Sequence, residues 1–193
     1  MSDNYDFIVV GAGAAGCLLA NRLSADTANR VLLLEAGGKD WNPLIRMPLA
    51  AGLLYFAPSL NWGYATEEQV HMHGRSLKWP RGKVLGGSTT INGMMSIRGQ
   101  RQDYDDWRQT GLSGWSYEDV LPYFKSFEKN VSHNGDDTYH GRDGCLYVEK
   151  ATAGHLLYDA WLECARAAGH SDNEDFNGAT QEGVGTYDFN IKG

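Results

Sequence analysis

Three glycines near the N-terminus are spaced so that the backbone could approach a phosphate group. Gly11, Gly13 and Gly16 follow the apolar run from Tyr5 to Val10 and open a helix-forming segment. In the pattern G-x-G-x-x-G the first glycine permits a tight turn, and the second leaves no side chain between backbone and pyrophosphate. The third lets the helix pack closely on the strand. The free N–H groups at the helix start favour an anion there, so the pattern indicates a dinucleotide site.

A carboxylate stands where the ribose of such a dinucleotide would lie. Glu35 ends the second apolar run, Val31 to Leu34, at the usual distance of about 20 residues beyond the glycines. It could accept hydrogen bonds from both ribose hydroxyls and would repel a 2′-phosphate, which favours FAD or NAD over NADP. The alternative is a glycine-rich turn without a ligand, and that alternative leaves Glu35 unexplained.

A second glycine-rich block runs from Trp79 to Gly99, with the sequence WPRGKVLGGSTTINGMMSIRG. Its Gly86-Gly87-Ser88 stretch could touch a flat or charged ligand through the backbone, and Arg81 and Lys83 add positive charge. The alternative is a structural loop with a basic rim, and residue chemistry alone leaves both open.

The elements that must position these residues follow from the hydrophobic pattern. Strand, glycine turn, helix and strand within about thirty residues make a βαβ unit with parallel strands buried on both faces. The helix is expected to end near Asp26. Prolines and tryptophans are spread from Lys39 to Arg81, which predicts an ordered excursion with buried aromatic rings. The fold class is therefore α/β.

Later segments predict further elements. Helices are expected around Asp103–Trp107, after Ser116 with Asp119 at N-cap spacing, and over Leu156–Ala168 before Gly169. Residues 130–144 are polar and are expected to form a surface loop. Apolar residues alternate over 186–191, which predicts a half-buried strand with nothing left to pair it, so the chain is expected to be a fragment.

Composition excludes several classes of function. The net charge is −7, with 42% hydrophobic and 21% charged residues, which is typical of a globular protein and disfavours a nucleic-acid partner. No apolar run is long enough to cross a bilayer, and the N-terminus does not resemble a secretory signal. Three scattered cysteines favour the cytoplasm, and association with a membrane surface stays open.

The quoted segments together resemble the glucose-methanol-choline (GMC) oxidoreductase family from end to end, the choline dehydrogenases and bacterial alcohol dehydrogenases above all. The block from Gly82 to Asp105 is similar to a family signature. Further similar segments are EAG at 35–37, NW at 61–62, WSY at 115–117, YHG at 139–141, DFNG at 175–178 and QEG at 181–183.

The resemblance implies FAD as the cofactor. Ile91 stands where some relatives carry a histidine that bonds covalently to the flavin, so the FAD is expected to be non-covalent. Ser96 replaces a usual aromatic residue. The residues that the resemblance and the patterns together assign to the cofactor are Gly11, Gly13, Ala14, Ala15, Gly16, Glu35, Ala36, Trp62, Arg81, Gly82, Val84, Gly87, Ser88, Ile91, Asn92, Gly93, Met94 and Met95.

Catalytic residues are not expected in this chain. In the family the base is a histidine far along the C-terminal half, and none of the six histidines here matches its motif. His71 and His73 lack the cysteines or carboxylates of a metal site and are expected in a surface loop. His140 is expected to fix a loop, and no metal is predicted.

The sequence therefore predicts a Rossmann-like FAD-binding domain over residues 1–150 with family-specific insertions. Residues 151–193 would begin a substrate domain and leave it incomplete. The predicted function is oxidation of a primary alcohol to an aldehyde by hydride transfer to flavin N5. A second polypeptide would supply the rest. The alternatives are a non-catalytic FAD-binding module and, less favoured, an NAD-dependent dehydrogenase.

Overall fold

The computed structural model describes residues 4–133, 137–152 and 154–192. The chain forms two compact units, residues 1–93 and 94–193. The domain boundary expected near residue 150 stays a prediction. Within the described residues, no helix combines the length and the apolar character needed to span a bilayer.

The first unit begins with the predicted βαβ arrangement. Strand β1 (Phe7–Val10) and strand β2 (Val31–Leu34) flank helix α1 (Ala14–Leu23). The strands are parallel, with Phe7 opposite Val31 and Val10 opposite Leu34. The α/β prediction is confirmed, although α1 ends three residues earlier than expected.

The two strands are more exposed than the sequence indicates. Val10 is 82% exposed and Ile8 is also exposed. The prediction of strands buried on both faces is therefore wrong for the described structure. A sheet of two strands with one helix cannot cover both of its faces, whatever the apolar content of the strands.

The rest of the first unit is an excursion of short elements, as predicted. Helix α2 spans Ala51–Leu54, and 3₁₀ turns span Pro43–Arg46, Pro48–Ala50, Val70–Met72 and Gly87–Thr90. Aliphatic residues form its core, with Leu54, Leu60, Val84 and Ile91 in one cluster. The expected burial of the tryptophans is wrong: Trp41 is 77% exposed, and Trp62 and Trp79 are also exposed.

The second unit is built on a four-stranded sheet in the order β3-β6-β5-β4. Its strands are β3 (Met95–Ser96), β4 (Glu128–Asn130), β5 (Leu146–Lys150) and β6 (Asp188–Phe189). Strand β6 runs antiparallel to both β3 and β5, whereas β4 and β5 are parallel. The predicted strand over 186–191 is thus shorter than expected and paired on both sides.

Three helices complete the second unit: α3 (Arg101–Gln109), α4 (Tyr117–Phe127) and α5 (Leu156–Ala167). The predicted cap of α4 is confirmed, because Ser116 and Asp119 form a capping box. Helix α5 ends before Gly169, which has a φ of +93°, as the glycine stop predicts.

The surface loop expected over residues 130–144 is wrong at three of its described positions. Asn130, His140 and Gly141 are buried, because their polar groups are paired with charged residues of the same unit. Residues 134–136 of that stretch lie outside the described residues.

Candidate functional site

The predicted glycine turn has the backbone geometry that a phosphate site needs. Gly11 has a φ of +93°, which favours glycine, and its N–H donates to Leu34 O at 2.7 Å. A Cβ at Gly13 would meet nothing within 4 Å, whereas one at Gly16 would lie 1.8 Å from Gly11 O. The third glycine is therefore required by helix packing, and the second faces open space.

Glu35 is tied to this turn by its carboxylate. Oε2 accepts a hydrogen bond of 2.7 Å from Ala12 N, and Oε1 accepts one of 2.8 Å from Gly37 N. Ala12 itself is fully buried. Each carboxylate oxygen can accept a further hydrogen bond, so Glu35 can brace the turn and still bind two hydroxyl groups.

The second glycine block packs directly on the first. Gly86 N donates to Ala12 O at 2.7 Å. A Cβ at Gly87 would lie 2.9 Å from the Cα of Gly13, and the φ of Gly87 is +61°. Two motifs that the sequence places about 70 residues apart are therefore one structural feature of the first unit.

A cleft of about 700 Å³ opens beside these turns, within the usual size of roughly 300–1,000 Å³ for small-molecule sites. Nine predicted cofactor residues line it: Gly11, Gly13, Glu35, Ala36, Trp62, Arg81, Gly82, Gly87 and Ser88. Sequence reasoning missed three further lining residues, Val10, Leu34 and Tyr64. Tyr64 stands two positions after Trp62, a signal that becomes informative only once the register of the ribbon is known.

The other predicted cofactor residues lie elsewhere. Ala14, Ala15 and Gly16 form the first turn of α1. Val84 and Ile91 are packed in the core, with only 0% and 2% of their surfaces exposed. Asn92 and Gly93 follow in the first unit, and Met94 and Met95 belong to the second. Contact of all these residues with a cofactor stays a prediction.

The second unit contains a buried charged cluster that sequence reasoning missed. His140 Nδ1 lies 3.1 Å from Glu128 Oε2, and His140 Nε2 lies 2.8 Å from Asp175 Oδ2. Arg98 Nη2 lies 2.9 Å from the same Glu128 oxygen. This contact is an ion pair without hydrogen-bond geometry. Hydropathy gives no signal for such a cluster, since buried and exposed charges look alike in a sequence.

His133, His140 and Asp175 are close enough to consider a metal ion. His133 Nε2 is already 3.0 Å from Asp188 Oδ2. The two imidazole rings are stacked at 4.7 Å and 12°, and both ring nitrogens of His140 already face carboxylates. The arrangement is better suited to ion pairs with the carboxylates. His71 and His73 lie in and beside the turn Val70–Met72.

Burial disfavours the charged forms of the residues in this cluster, but their hydrogen bonds and ion pairs with one another favour those charged forms more strongly. Burial disfavours the imidazolium of His140, yet hydrogen bonds to Asp175 and Glu128 raise its pKa to about 9. Burial likewise opposes ionisation of Glu128 and Asp175, but the hydrogen bonds with His140 hold both pKa values below their usual range. The cluster is therefore a network of charged partners that holds His140 between Glu128 and Asp175.

A parallel βαβ unit with a braced glycine turn and a carboxylate at the second strand is the arrangement of a dinucleotide-binding α/β protein. The chain belongs to the GMC oxidoreductase family, whose model matches residues 5–192.

Curated relatives are similar over nearly the whole chain. An oxygen-dependent choline dehydrogenase of Sinorhizobium fredii is 46% identical over 93% of this chain and 32% of its own length. An alcohol dehydrogenase (acceptor) of Pseudomonas putida is 49% identical over 97% of this chain and 34% of its own. The chain thus spans about a third of the length of these relatives.

Solved structures share the fold. Pyridoxine 4-oxidase from Mesorbium loti is 35% identical with a TM-score of 0.89, over 98% of this chain and 37% of its own. An FAD-dependent oxidoreductase from Chaetomium thermophilum is 28% identical with a TM-score of 0.83, over 98% of this chain and 34% of its own.

Proposed function

We propose that this chain is the FAD-binding part of a flavin-dependent oxidoreductase that oxidises a primary alcohol to an aldehyde. The observation that carries the proposal is the cleft of the first unit, where the two glycine turns and Glu35 meet.

The residues of the cleft fit FAD. The open side of Gly13 leaves room for a pyrophosphate against the backbone, and the start of α1 offers free N–H groups to its charge. Glu35 is held by two backbone amides, so its remaining acceptor positions are fixed for the ribose hydroxyls. Arg81 lines the same cleft and adds positive charge. When bound, the flavin accepts the hydride from the alcohol carbon.

The packing of the second glycine block favours FAD over NAD. The Gly82–Ser88 stretch supplies three lining residues of the cleft, and a nicotinamide dinucleotide site has no need for this block. The FAD-dependent oxidoreductase from Chaetomium thermophilum shares the fold over 98% of this chain. We infer that the FAD is non-covalent, since Ile91 carries no nucleophile and its side chain is in the core.

Choline and aliphatic primary alcohols are the proposed substrates. The support comes from the relatives, which are a choline dehydrogenase and an alcohol dehydrogenase at 46% and 49% identity. Oxygen and a quinone-linked acceptor are both compatible with the described residues as the oxidant of the reduced flavin.

The base that removes the hydroxyl proton is proposed to lie in the part that the relatives carry beyond the matched region. The relatives hold that part in one longer chain, of which this chain matches 32–34%. A second polypeptide is the other arrangement by which the site could be completed. The cytoplasm is the proposed compartment, and fractionation of the source cells tests it.

Alcohol-dependent reduction of a dye tests the proposed function. The protein as it occurs in its source is supplied with FAD and then with choline or with aliphatic alcohols of increasing length. We expect dye reduction with at least one primary alcohol and aldehyde as the product. Bound FAD without turnover on any alcohol would contradict the enzyme and support a non-catalytic FAD-binding module.

A further inference from the structure

Tyr64 lies in an antiparallel ribbon that forms one side of the cleft. The bridges Asn61–Gly82 and Ala65–Lys78 set its register, and Trp79 N donates to Tyr64 O at 2.8 Å. In this register Trp62 is opposite Arg81, and Tyr64 is opposite Trp79. Since alternate residues of a strand share a face, Trp62 and Tyr64 project from the same face of the ribbon.

Trp62 contacts two neighbouring side chains on that face. Its ring stacks on Tyr64 with centroids 5.8 Å apart and an interplanar angle of 5°. The Lys83 ammonium lies 4.6 Å from the Trp62 ring centroid. Lys83 N donates to Leu60 O, so the register places Lys83 beyond Trp62 on the side away from Tyr64. The indole is therefore held between an aromatic ring and a cation.

Tyr64 is the more exposed ring of this pair. It is 53% exposed and lines the same cleft as Glu35 and Ala36. A base attached to a ribose that is bound by Glu35 has to lie close to the ribose and needs a flat apolar surface. Such a surface is available on the face of Tyr64 that is turned away from Trp62, whereas the Trp62 ring contacts both Tyr64 and Lys83 and is the less exposed of the two.

We propose that Tyr64 supplies the surface on which the adenine ring stacks, and that Trp62, held by Lys83, supports the tyrosine ring. The inference rests on the proposed binding of FAD. Because every base has a π-face, stacking on an aromatic side chain does not require base-specific hydrogen bonds.

Calorimetric binding of ADP to the full chain tests this assignment, with inorganic pyrophosphate as the ligand that has no base. Loss of a stacking side chain commonly weakens binding by about 5- to 100-fold per base, so Tyr64→Ala should weaken ADP by that factor and leave pyrophosphate unchanged. Tyr64→Phe should bind ADP within about twofold of the unaltered protein, since stacking needs the ring and not the hydroxyl. Tyr123→Ala is the matched control, because Tyr123 is 71% exposed on α4 and lies outside the cleft lining.

Three results would overturn the assignment. They are unchanged ADP affinity in Tyr64→Ala, an equal loss for pyrophosphate, and a loss in Tyr64→Phe as large as in Tyr64→Ala. An equal loss for pyrophosphate would identify Tyr64 as a structural residue of the ribbon. If the unaltered protein bound neither ADP nor FAD, the proposed function itself would fail, and this result is distinct from the other three.

Discussion

The carboxylate of Glu35 accepts a hydrogen bond of 2.7 Å from the backbone N–H of Ala12, across 23 positions of sequence. This contact joins the end of β2 to the glycine turn after β1. A residue expected from the sequence to bind ribose therefore also fixes the turn that would hold the phosphates. The two tasks would fall to different lone pairs of one carboxylate.

Substitution of Glu35 is expected to weaken FAD binding. Glu35→Ala removes both backbone contacts and the ribose acceptors, and hydrogen bonds to a charged group contribute roughly 1.5–3 kcal/mol each, so the Kd should rise by about tenfold or more. Glu35→Gln should give a smaller loss, because one amide oxygen can still accept. Titration of FAD by flavin fluorescence measures the change, with the exposed Glu68→Gln as the control. Equal affinity in all three variants would contradict the role of Glu35.

Gly87 is expected to tolerate no side chain. Gly87→Ala would place a Cβ 2.9 Å from the Cα of Gly13 at a φ of +61°, whereas Gly74→Ala has a φ of +70° and meets nothing within 4 Å. Both changes cost about 1 kcal/mol through backbone strain, and only Gly87→Ala also disturbs the contact between the two glycine turns. FAD titration and thermal unfolding should therefore show a larger loss for Gly87→Ala. Matching losses in the two variants would argue against close packing of the turns.

Ser116 is expected to stabilise the start of α4. Its Oγ accepts from Asp119 N at 3.3 Å, and its N–H donates to Asp119 Oδ2 at 3.1 Å. Loss of an N-cap side chain costs about 1 kcal/mol, which corresponds to a Tm decrease of roughly 2–4 °C for a chain of this size. Thermal unfolding of Ser116→Ala against Ser113→Ala checks this. An equal Tm for both variants would show that the capping box does not contribute.

The charged cluster around His140 predicts that stability falls at alkaline pH. The pKa of His140 is raised from 6.5 to about 9, so its contribution is fully present below about pH 6.5 and is lost as pH rises through about 9. The pKa values of Glu128 and Asp175 are lowered from 4.5 and 3.8. Their contribution is present above those values and is lost as the pH falls below them.

Thermal unfolding from pH 4 to pH 10, followed in parallel with His140→Gln, measures this dependence. The unaltered protein should be most stable between about pH 4.5 and 6.5 and should lose Tm toward pH 10. The variant should have a lower Tm at pH 6 and a smaller further loss toward pH 10. The interpretation fails if the two proteins lose Tm in parallel over the alkaline range.

The sequence predicted what depends on local backbone chemistry. The glycine turn, the end of β2 at Glu35 and the cap at Ser116 are determined by residues close together in the chain, and the structure has them where the patterns place them. The contact of Gly87 with Gly13 depends on a chain path that periodicity does not describe. The glycine-rich block that contains Gly87 could be recognised in the sequence, but its packing against the turn at Gly13 could not.

Burial was the property that the sequence predicted least well. Val10 has the pattern of an interior strand but is exposed, and His140 lies in a polar stretch but is buried. Exposure depends on which other elements cover a residue, and ion pairs with Glu128 and Asp175 allow a histidine to be buried in a segment of low hydropathy. Tyr64 was missed for the same reason, since its place in the cleft follows from ribbon register.

Denaturing liquid chromatography with mass spectrometry on the protein purified from its source tests the central claim most directly. The account predicts free FAD in a ratio of about one per protein, together with a polypeptide of unmodified mass. A covalent flavin adduct would contradict the non-covalent site at Ile91. Release of a nicotinamide dinucleotide, or of no nucleotide even after incubation with FAD, would contradict the FAD-binding cleft itself.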